Sequence, residues 1–319
     1  MKAQCLSIAA AEERTECQKE AKEERNGALE ECSDQKEARL DACELLAEHR
    51  YQDPLEDPTI IFIDPVDIGF SEENNPYVIL QAGHTHVLEA DDEIIIVHAT
   101  DEVREIQGVL CRVVVDIAVE EEFDEEDMVI GYTAIEVTDD WFAQDDQRNV
   151  YYCGEVAQNF EDGVLRDLDG SFESGRDLAK GGVLTLAMPA EGDVHRTEYA
   201  LGEAEDIVEY LAMGATPTED EGGDNASFPC AGGCLKTFDF SPLEPESTEY
   251  KYYLPGVGFV LAISLEDGEI EEDGREELVC IGDSLAILVD DSDCGIENPE
   301  ELLEELCELH DELCMDDDE

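Results

Sequence analysis

Two patterns of hydrophobic and polar positions divide the chain. Residues 3–49 contain no proline and are rich in Ala, Glu, Lys and Arg, which favour helix, and they break only at Asn26-Gly27, where a turn is easily made. From Tyr77 to about Ile281, short β-branched and aromatic runs alternate with acidic or glycine-containing turns, a pattern typical of antiparallel strands. The chain is therefore predicted to be α+β and mainly β, with a helical hairpin before an antiparallel sheet.

Cysteine positions in the first segment support the hairpin. Facing residues of an antiparallel hairpin have position numbers with a constant sum, and the pairs Cys5–Cys43 and Cys17–Cys32 have nearly equal sums. These two disulfides are predicted to staple the helices around a bend just before Asn26-Gly27. A single metal ion bound by all four thiolates is excluded, because the sulfurs would be spread over more than about 10 Å of helix.

Composition shifts give four predicted units. Residues 1–50 form the disulfide-stapled helical hairpin, and 51–76, with prolines throughout, form an extended strap or linker. Residues 77–281 form the antiparallel β domain, and 282–319 form an acidic helical tail. Within that tail, Asn298-Pro299 suits the start of a helix.

Three hairpins are predicted within the β domain from turn residues flanked by strand-like runs. One turns at Asp91-Asp92, the second at Asp145 to Asn149, and the third at Pro255 to Gly258. Each has apolar or aromatic residues on both strands, as expected for strands that pack on a core.

The charge of the chain limits the partners that it can bind. The 319 residues include 86 Asp and Glu but only 18 Lys and Arg, a net charge of −68, which argues against nucleic acid or an anionic membrane as partner. A solvated, salt-screened surface and specific calcium sites both remain open as reasons for the acidity. No run approaches the roughly 20 apolar residues of a membrane span.

Twelve cysteines, an even number, predict an oxidising compartment and hence a secreted or periplasmic, extracytoplasmic protein. The residues from Met1 to Cys5 lead into no apolar stretch, so no signal peptide is expected in this chain.

The last cysteines are predicted to fasten the tail to the sheet. On a helix continuing to about Cys314, Cys307, His310 and Cys314 share a face, and the two cysteines are too far apart to bond each other. Cys280 and Cys294 are the nearest other cysteines, so bridges from them to the tail helix are preferred over a soft metal site. For Cys111, Cys153, Cys230 and Cys234, both the sequential and the crossed pairings remain open.

Two sets of residues are candidate cation ligands. His84 and His86 share a strand face, and a hairpin centred on Asp92 places His98 opposite His86, a set that suits Zn²⁺ or Cu²⁺. The alternating oxygens of Asp167, Asp169 and Glu173 are of the kind that Ca²⁺ prefers, although the segment is shorter than an EF-hand loop. A half-buried histidine pair and a polar turn are the structural alternatives.

No motif of an enzyme is found. The sequence lacks a Gly-x-Ser-x-Gly nucleophile, a phosphate-binding loop and a dinucleotide fingerprint, and no glycosidase pair can be located among so many carboxylates. The chain is therefore predicted not to be an enzyme.

Several stretches, in order, resemble a bacterial family of secreted β-rich proteins of unknown function: EARLDAC (37–43), NPY (75–77), WFAQD (141–145), NVYY (149–152), GEAED (202–206), SPLEP (241–245) and YKYYLPGVG (250–258). The last turn also resembles one common in periplasmic half-barrel proteins, which implies a curved sheet that cups apolar ligands. His84, His86 and the tail from Cys294 depart from the family's pattern.

Together these observations predict a non-catalytic secreted or periplasmic binding or structural protein of unknown ligand. The alternatives are an envelope protein that binds Ca²⁺, Zn²⁺ or Cu²⁺, and a subunit of an extracellular surface assembly, homo-oligomeric or docked on a neighbour.

Overall fold

A computed structural model describes residues 5, 7, 10–47, 50–69, 74–124, 128–161, 163–222, 226–266, 268–290 and 294–314. Its helices are α1 (Ala11–Leu45), α2 (Ile287–Asp290) and α3 (Pro299–Leu309), with 3-10 turns at Pro54–Glu56, Pro65–Asp67 and Asp311–Cys314. Its strands are β1 (Thr85–Ala90), β2 (Glu93–Ile106), β3 (Val109–Phe123), β4 (Val129–Gln144), β5 (Val150–Glu161), β6 (Val164–Asp167), β7 (Phe172–Glu173), β8 (Gly182–Thr185), β9 (Val194–Arg196), β10 (Ile207–Ala215), β11 (Cys234–Ser241), β12 (Glu244–Leu254), β13 (Gly258–Glu266) and β14 (Glu269–Gly282).

Within these residues, fourteen strands form one antiparallel sheet, which confirms the mainly β fold. The main path runs β6-β5-β4-β3-β2-β1-β14-β13-β12-β11-β10-β9, and β7 and β8 pair with β5. The hairpins β1–β2, β4–β5 and β12–β13 confirm the three predicted from turn residues. Most neighbours in the sheet are consecutive in sequence, whereas β1 pairs with β14 and so joins the two halves.

The C-terminal helix and the first part of the strap pack on one face of the sheet. Leu302 and Leu306 of α3 are fully buried against Ile117 and Val137, and the His310 side chain contacts Asp139 at 2.9 Å. Further along the sheet, Leu55 packs beside Trp141 in a separate core cluster. The opposite face forms the candidate site, and Ile68 at the end of the strap packs there beside Leu80 and Val114.

The predicted helical hairpin is wrong. Residues 11–45 form one continuous helix through Asn26-Gly27, about 52 Å long at 1.5 Å per residue. Gly27 has an ordinary helical backbone, and its penalty of about 1 kcal/mol is outweighed by the strong helix formers on both sides. The C-terminal half of α1 docks on the sheet domain, where the Arg39 guanidinium makes a bidentate ion pair with the buried Glu205, at 2.6 and 2.8 Å.

The disulfides predicted for that segment are wrong for the same reason. Cys5 bonds Cys17, and Cys32 and Cys43 are free and exposed. With no bend in α1, Cys17 and Cys32 are 15 residues apart on a straight helix, about 22 Å, which no disulfide can span.

In the tail, the predicted bridges between helix and sheet are also wrong. Cys280 of β14 bonds Cys294, and Cys307 bonds Cys314, with a Cα–Cα distance of 5.6 Å. The second bond is possible because α3 ends at Leu309 and His310 is extended, so the following 3-10 turn folds the chain back. Of the pairings left open for the β domain, the structure has Cys111–Cys153 and Cys230–Cys234.

Candidate functional site

Two strands that are far apart in the sheet line one cavity. Asp116 is on β3 and Lys251 on β12, with β2, β1, β14 and β13 between them. Neighbouring strands are about 4.8 Å apart, so a flat sheet would separate these two strands by about 24 Å. Both side chains nevertheless line a cavity of about 320 Å³, so the sheet is curved like a half-barrel and its concave face is a cup.

One side of the cup is apolar and aromatic. Tyr253 and Phe259 are cross-strand partners beside the β12–β13 turn, and their rings meet edge to face at 5.8 Å. The other side chains of this wall come from the segment before β1 and from strands β1–β4: Tyr77, Val78, Leu80, Leu88, Val97, Val114 and Phe142.

The segment 74–80 is held across the end of the cup by Asn75. Its side-chain oxygen accepts hydrogen bonds from the backbone N–H of Tyr77 (2.8 Å) and Val78 (3.2 Å). Its amide nitrogen donates to the Arg148 carbonyl at 2.7 Å, and the Gly256 N–H donates to the Pro76 carbonyl at 2.7 Å. The segment is thus tied to the ends of two hairpins, which fixes the Tyr77 ring and its neighbours in the cavity wall.

Lys251 lies where the apolar wall meets a group of carboxyls. Its Nζ is 3.0 Å from Glu249 on the same strand and 3.9 Å from Asp239 on the neighbouring β11, and all three side chains are on the concave face. These carboxylates hold the pKa of Lys251 well above its usual range, and Lys251 in turn lowers the pKa of Glu249. Lys251 is therefore charged at any physiological pH.

A second cavity of about 490 Å³ continues from Lys251, and half of its lining residues are acids: Glu136, Glu155, Glu198, Glu203, Asp206, Asp239, Glu244 and Glu249. Burial, together with the neighbouring carboxyls, raises the pKa of Glu155 to about 7 and that of Glu198 well above its ordinary value. Burial also raises the pKa of Asp239 to about 6. One lysine therefore faces a large excess of carboxyls, several of which are partly protonated near neutral pH.

Tyr152 joins two of these acids. Its hydroxyl is hydrogen bonded to the Asp140 carboxyl and lies 3.0 Å from Glu155 Oε2. A phenol has one proton to donate, so the second contact is favourable only when that carboxyl carries a proton of its own. The second contact therefore agrees with a protonated Glu155, and burial is the largest cause of the raised pKa values of Asp140 and Glu155.

Glu155→Gln is expected to stabilise the protein at pH 8 and to leave it nearly unchanged at pH 5. A carboxyl with a raised pKa in the folded state stabilises the fold below its unfolded pKa, and this contribution is lost as the pH rises through about 7. Because the Glu155 side chain is partly exposed, the gain in the free energy of unfolding at pH 8 should be about 1–2 kcal/mol, measured by urea unfolding. The exposed Glu105→Gln is the control, and an equal effect of Glu155→Gln at both pH values would contradict the prediction.

The structure brings two of the three candidate histidines together. The Nε2 atoms of His84 and His86 are 3.0 Å apart, and His86 Nε2 lies 3.0 Å from the Val257 carbonyl oxygen. Because the ring of His86 is buried, its pKa is lowered to about 4, so this imidazole is neutral and donates its Nε2 proton to that carbonyl. Both rings line the apolar cavity.

The predicted position of His98 is wrong by one residue. His98 pairs with Thr85, and His86 pairs with Val97, because the turn centres between Asp91 and Asp92 rather than on Asp92. Since side chains alternate between the faces of a strand, this single step places His98 on the opposite face from His84 and His86. There its Nδ1 lies 2.9 Å from the Thr85 hydroxyl.

The predicted calcium ligands are also spread apart. Asp167 is opposite Asn159 and Glu173 is opposite Gly154 on β5, five residues or about 17 Å away. Glu173 makes ion pairs of 2.6 Å with both Arg104 and Arg176, and Asp169 is in the turn after β6. In the part of the chain that the structure describes, no three His, Cys, Asp or Glu side chains are grouped to hold a metal ion.

Sequence reasoning missed the residues that make the cup. The signal for Lys251 was present, since it is the only basic residue between Thr237 and Asp273 and alternates with Glu249 and Tyr253 along one strand face. Asp116, Asp140 and Glu155 had no such signal, because nothing in the sequence distinguishes them from the other carboxylates.

Comparison with protein-family models gives no match, and comparison with curated proteins gives none. Among solved structures, a Bacteroides fragilis protein described as exported and as having a YmcC-like fold is similar over 63% of this chain and 96% of that chain, at 12% identity and a TM-score of 0.26. No helix within the described ranges is long and apolar enough to cross a membrane.

Proposed function

We propose that the protein is a non-catalytic, extracytoplasmic binding protein whose cup takes a small organic cation with an apolar or aromatic body. The observation that carries this proposal is the composition of the cup. An aromatic and aliphatic wall lies directly against a group of carboxyls that a single lysine does not neutralise. Ten of the twelve cysteines are in disulfides, which fits an oxidising compartment outside the cytoplasm.

The size and lining of the first cavity suit one small molecule. Its volume of about 320 Å³ is at the lower end of the range of ligand pockets, which are mostly apolar with a few polar groups that fix orientation. Tyr253, Phe259 and Phe142 offer ring faces and edges to an apolar body. An aromatic ring also attracts a cation within about 6 Å of its centroid.

The carboxyls at the floor of this cavity set the preferred ligand charge. Asp116 and Glu276 line it together with Lys251, whose charge is already matched by Glu249. Burial, with Asp140 and Glu276 next, raises the pKa of Asp116 well above its usual value, and burial raises that of Glu276 to about 7. A bound cation would favour the ionised form of both acids, whereas a bound anion would meet their repulsion.

A metal ion fits this cup less well than an organic cation. Asp116 and Glu276 line the cavity together with His84 and His86, but among the described residues no three His, Cys, Asp or Glu side chains are grouped to hold a metal ion. His86 Nε2 already donates its proton to the Val257 carbonyl oxygen, so this nitrogen has no lone pair to offer a metal ion. An organic cation uses both the apolar wall and the charge, and it needs no closed set of ligands.

Titration calorimetry with benzyltrimethylammonium should show binding that is at least about tenfold tighter at pH 8 than at pH 5.5, a difference of about 1.4 kcal/mol. The sign follows from Glu276, which is protonated below a pKa of about 7 and must lose its proton to pair with the cation. Proton release on binding at pH 7, seen as a dependence of the binding heat on the buffer, is the second readout.

Benzyl alcohol and benzenesulfonate test the role of the ligand's charge, since both share the aromatic ring. The double variant Asp116→Asn/Glu276→Gln should abolish the preference for the cation, whereas Asp169→Asn, an exposed acid outside the cup, should not. Circular dichroism melting at pH 5 checks that the variants fold. Equal affinity for the three compounds, or a cation preference that survives the double variant, would overturn the proposal.

A further inference from the structure

Two cysteines stand apart from the other ten. Cys32 and Cys43 are free and exposed, and both lie on α1, whereas every other cysteine is in a disulfide. In a compartment that oxidises five pairs of thiols, two exposed thiols on a helix are open to the same chemistry. Each of these two thiols therefore lacks a disulfide partner within its own chain.

The two thiols cannot bond each other. They are eleven residues apart, which on a helix is three turns and about 16.5 Å, while disulfide-bonded residues have Cα atoms within about 7 Å. Three turns also return to almost the same direction, since eleven residues rotate by only about 20° beyond whole turns. Cys32 and Cys43 therefore lie on one flank of α1 and face solvent together.

That flank has the composition of a contact surface. Leu29 and Leu40 lie on it with Lys36 between them, and their side chains are 55% and 61% exposed. At about 100° per residue, these residues and the two cysteines fall within a sector of about 80°. Every Asp and Glu of α1 lies outside this sector, although acids make up 86 of the 319 residues of the chain.

We propose that a second copy of this chain docks on this flank of α1 and that two intermolecular disulfides join the copies. A twofold axis allows both bonds at once, either as Cys32–Cys32 and Cys43–Cys43 between parallel helices or as two Cys32–Cys43 bonds between antiparallel helices. Any other partner would have to present its own two thiols at the same spacing.

Charge and the burial of apolar side chains both favour a second copy of the chain as the partner on this flank. Two chains of net charge −68 repel each other over most of their surfaces, so they can approach most easily along a flank that is free of acids. Lys36 on each flank then meets a strongly negative partner. Leu29 and Leu40, which the fold leaves in water, become buried in the contact.

Each disulfide forms by oxidation of two thiols, one from each copy, with loss of two protons and two electrons. A low-molecular-weight disulfide such as oxidised glutathione accepts the electrons and becomes two thiols, through a mixed disulfide with one cysteine that the other cysteine then attacks. Two bonds therefore consume two molecules of oxidised glutathione and release four of the reduced form.

The test uses the full chain, with its other disulfides formed, treated with oxidised glutathione and analysed by intact mass and by gels without reductant. We expect the wild-type chain to convert from 35.3 kDa to twice that mass, with no free thiol left. The variant Cys32→Ser/Cys43→Ser should stay a monomer. Both positions are exposed on the helix, so melting of this variant should match the wild type and show that its fold is unchanged.

The single variants identify the arrangement. In a parallel dimer, Cys32→Ser and Cys43→Ser each keep one disulfide and remain dimers; in an antiparallel dimer, each alone stays a monomer, and a mixture of the two forms the dimer. Either pattern supports the proposal. A wild-type chain that stays monomeric, with free thiols or glutathione at both cysteines, would overturn it, as would peptide mapping that joins Cys32 or Cys43 to Cys5 or Cys17.

Discussion

Replacing Lys251 by methionine is expected to lower the free energy of unfolding by about 3 kcal/mol at pH 8. Removal of one partner of a buried ion pair costs about 3–5 kcal/mol, because the remaining charge is left without compensation in a poorly solvated site. Here the remaining charges are Glu249, 3.0 Å from Nζ, and Asp239, 3.9 Å away. The lower end of the range applies because 31% of the lysine side chain is exposed.

The loss should shrink to below about 1 kcal/mol at pH 5. Lysine is charged throughout this range, so the dependence comes from the acids it pairs with. Without the lysine, the pKa of Glu249 is no longer lowered, and that of Asp239, already raised to about 6 by burial, rises further. A carboxyl with a raised pKa stabilises the fold at low pH and loses that contribution as the pH rises. Protonation at pH 5 thus replaces the missing lysine.

Urea unfolding of three variants at both pH values checks this prediction. Lys251→Arg keeps the charge and should recover much of the stability at pH 8. Lys19→Met removes a lysine that is 72% exposed on α1 and should change the free energy of unfolding by less than about 0.5 kcal/mol. A loss of the same size at pH 5 and pH 8 would show that Lys251 acts through packing rather than charge.

Local patterns predicted the strands well. The β1–β2, β4–β5 and β12–β13 hairpins each follow from a short polar or glycine turn between apolar runs, so the information lies within about 20 residues of sequence. The predicted register was wrong by one residue at the two-residue turn between β1 and β2. The alternation of faces then moved His98 from one side of the sheet to the other.

The first helix shows why agreement between two signals was insufficient. Asn26-Gly27 permits a turn without requiring one, and the spacing of four cysteines agreed with a hairpin only on the assumption that all four bond among themselves within it. The helix continues because Ala, Glu, Lys and Arg dominate both sides of Gly27. Cys5 lies beside Cys17, in the segment before the helix, and this leaves two thiols free.

The cup could not be predicted from the sequence, because it depends on curvature. Asp116 and Lys251 are 135 positions apart and are separated by four strands, and only the bending of the whole sheet brings them to one cavity. The acids around Lys251 are a small part of the 86 Asp and Glu residues of the chain. What distinguishes them from the solvated acids is burial, which is a property of the fold. The local sign of this site in the sequence was the alternation of Glu249, Lys251 and Tyr253 along one strand.

Removal of the Cys111–Cys153 disulfide by a double alanine substitution is expected to lower the free energy of unfolding by about 4 kcal/mol. In the chain-entropy description, a disulfide stabilises by restricting the unfolded chain, and a loop of about 40 residues gives about 4 kcal/mol, against about 2 kcal/mol for one of four residues. Cys111 and Cys153 are 42 positions apart, and Cys230 and Cys234 are only four apart.

The Cys230→Ala/Cys234→Ala variant is therefore the matched comparison for Cys111→Ala/Cys153→Ala. Both bridges are buried, so each double substitution removes two sulfur atoms from a core and leaves a similar small void. The difference of about 2 kcal/mol in urea unfolding then reports the loops that the bridges close. Equal losses in the two variants, or a larger loss for Cys230–Cys234, would mean that native packing around the sulfurs, rather than restriction of the unfolded chain, dominates. In that case the Cys111–Cys153 disulfide, which joins β3 to β5, would stabilise the protein mainly through packing in the part of the folded sheet that supports the cup.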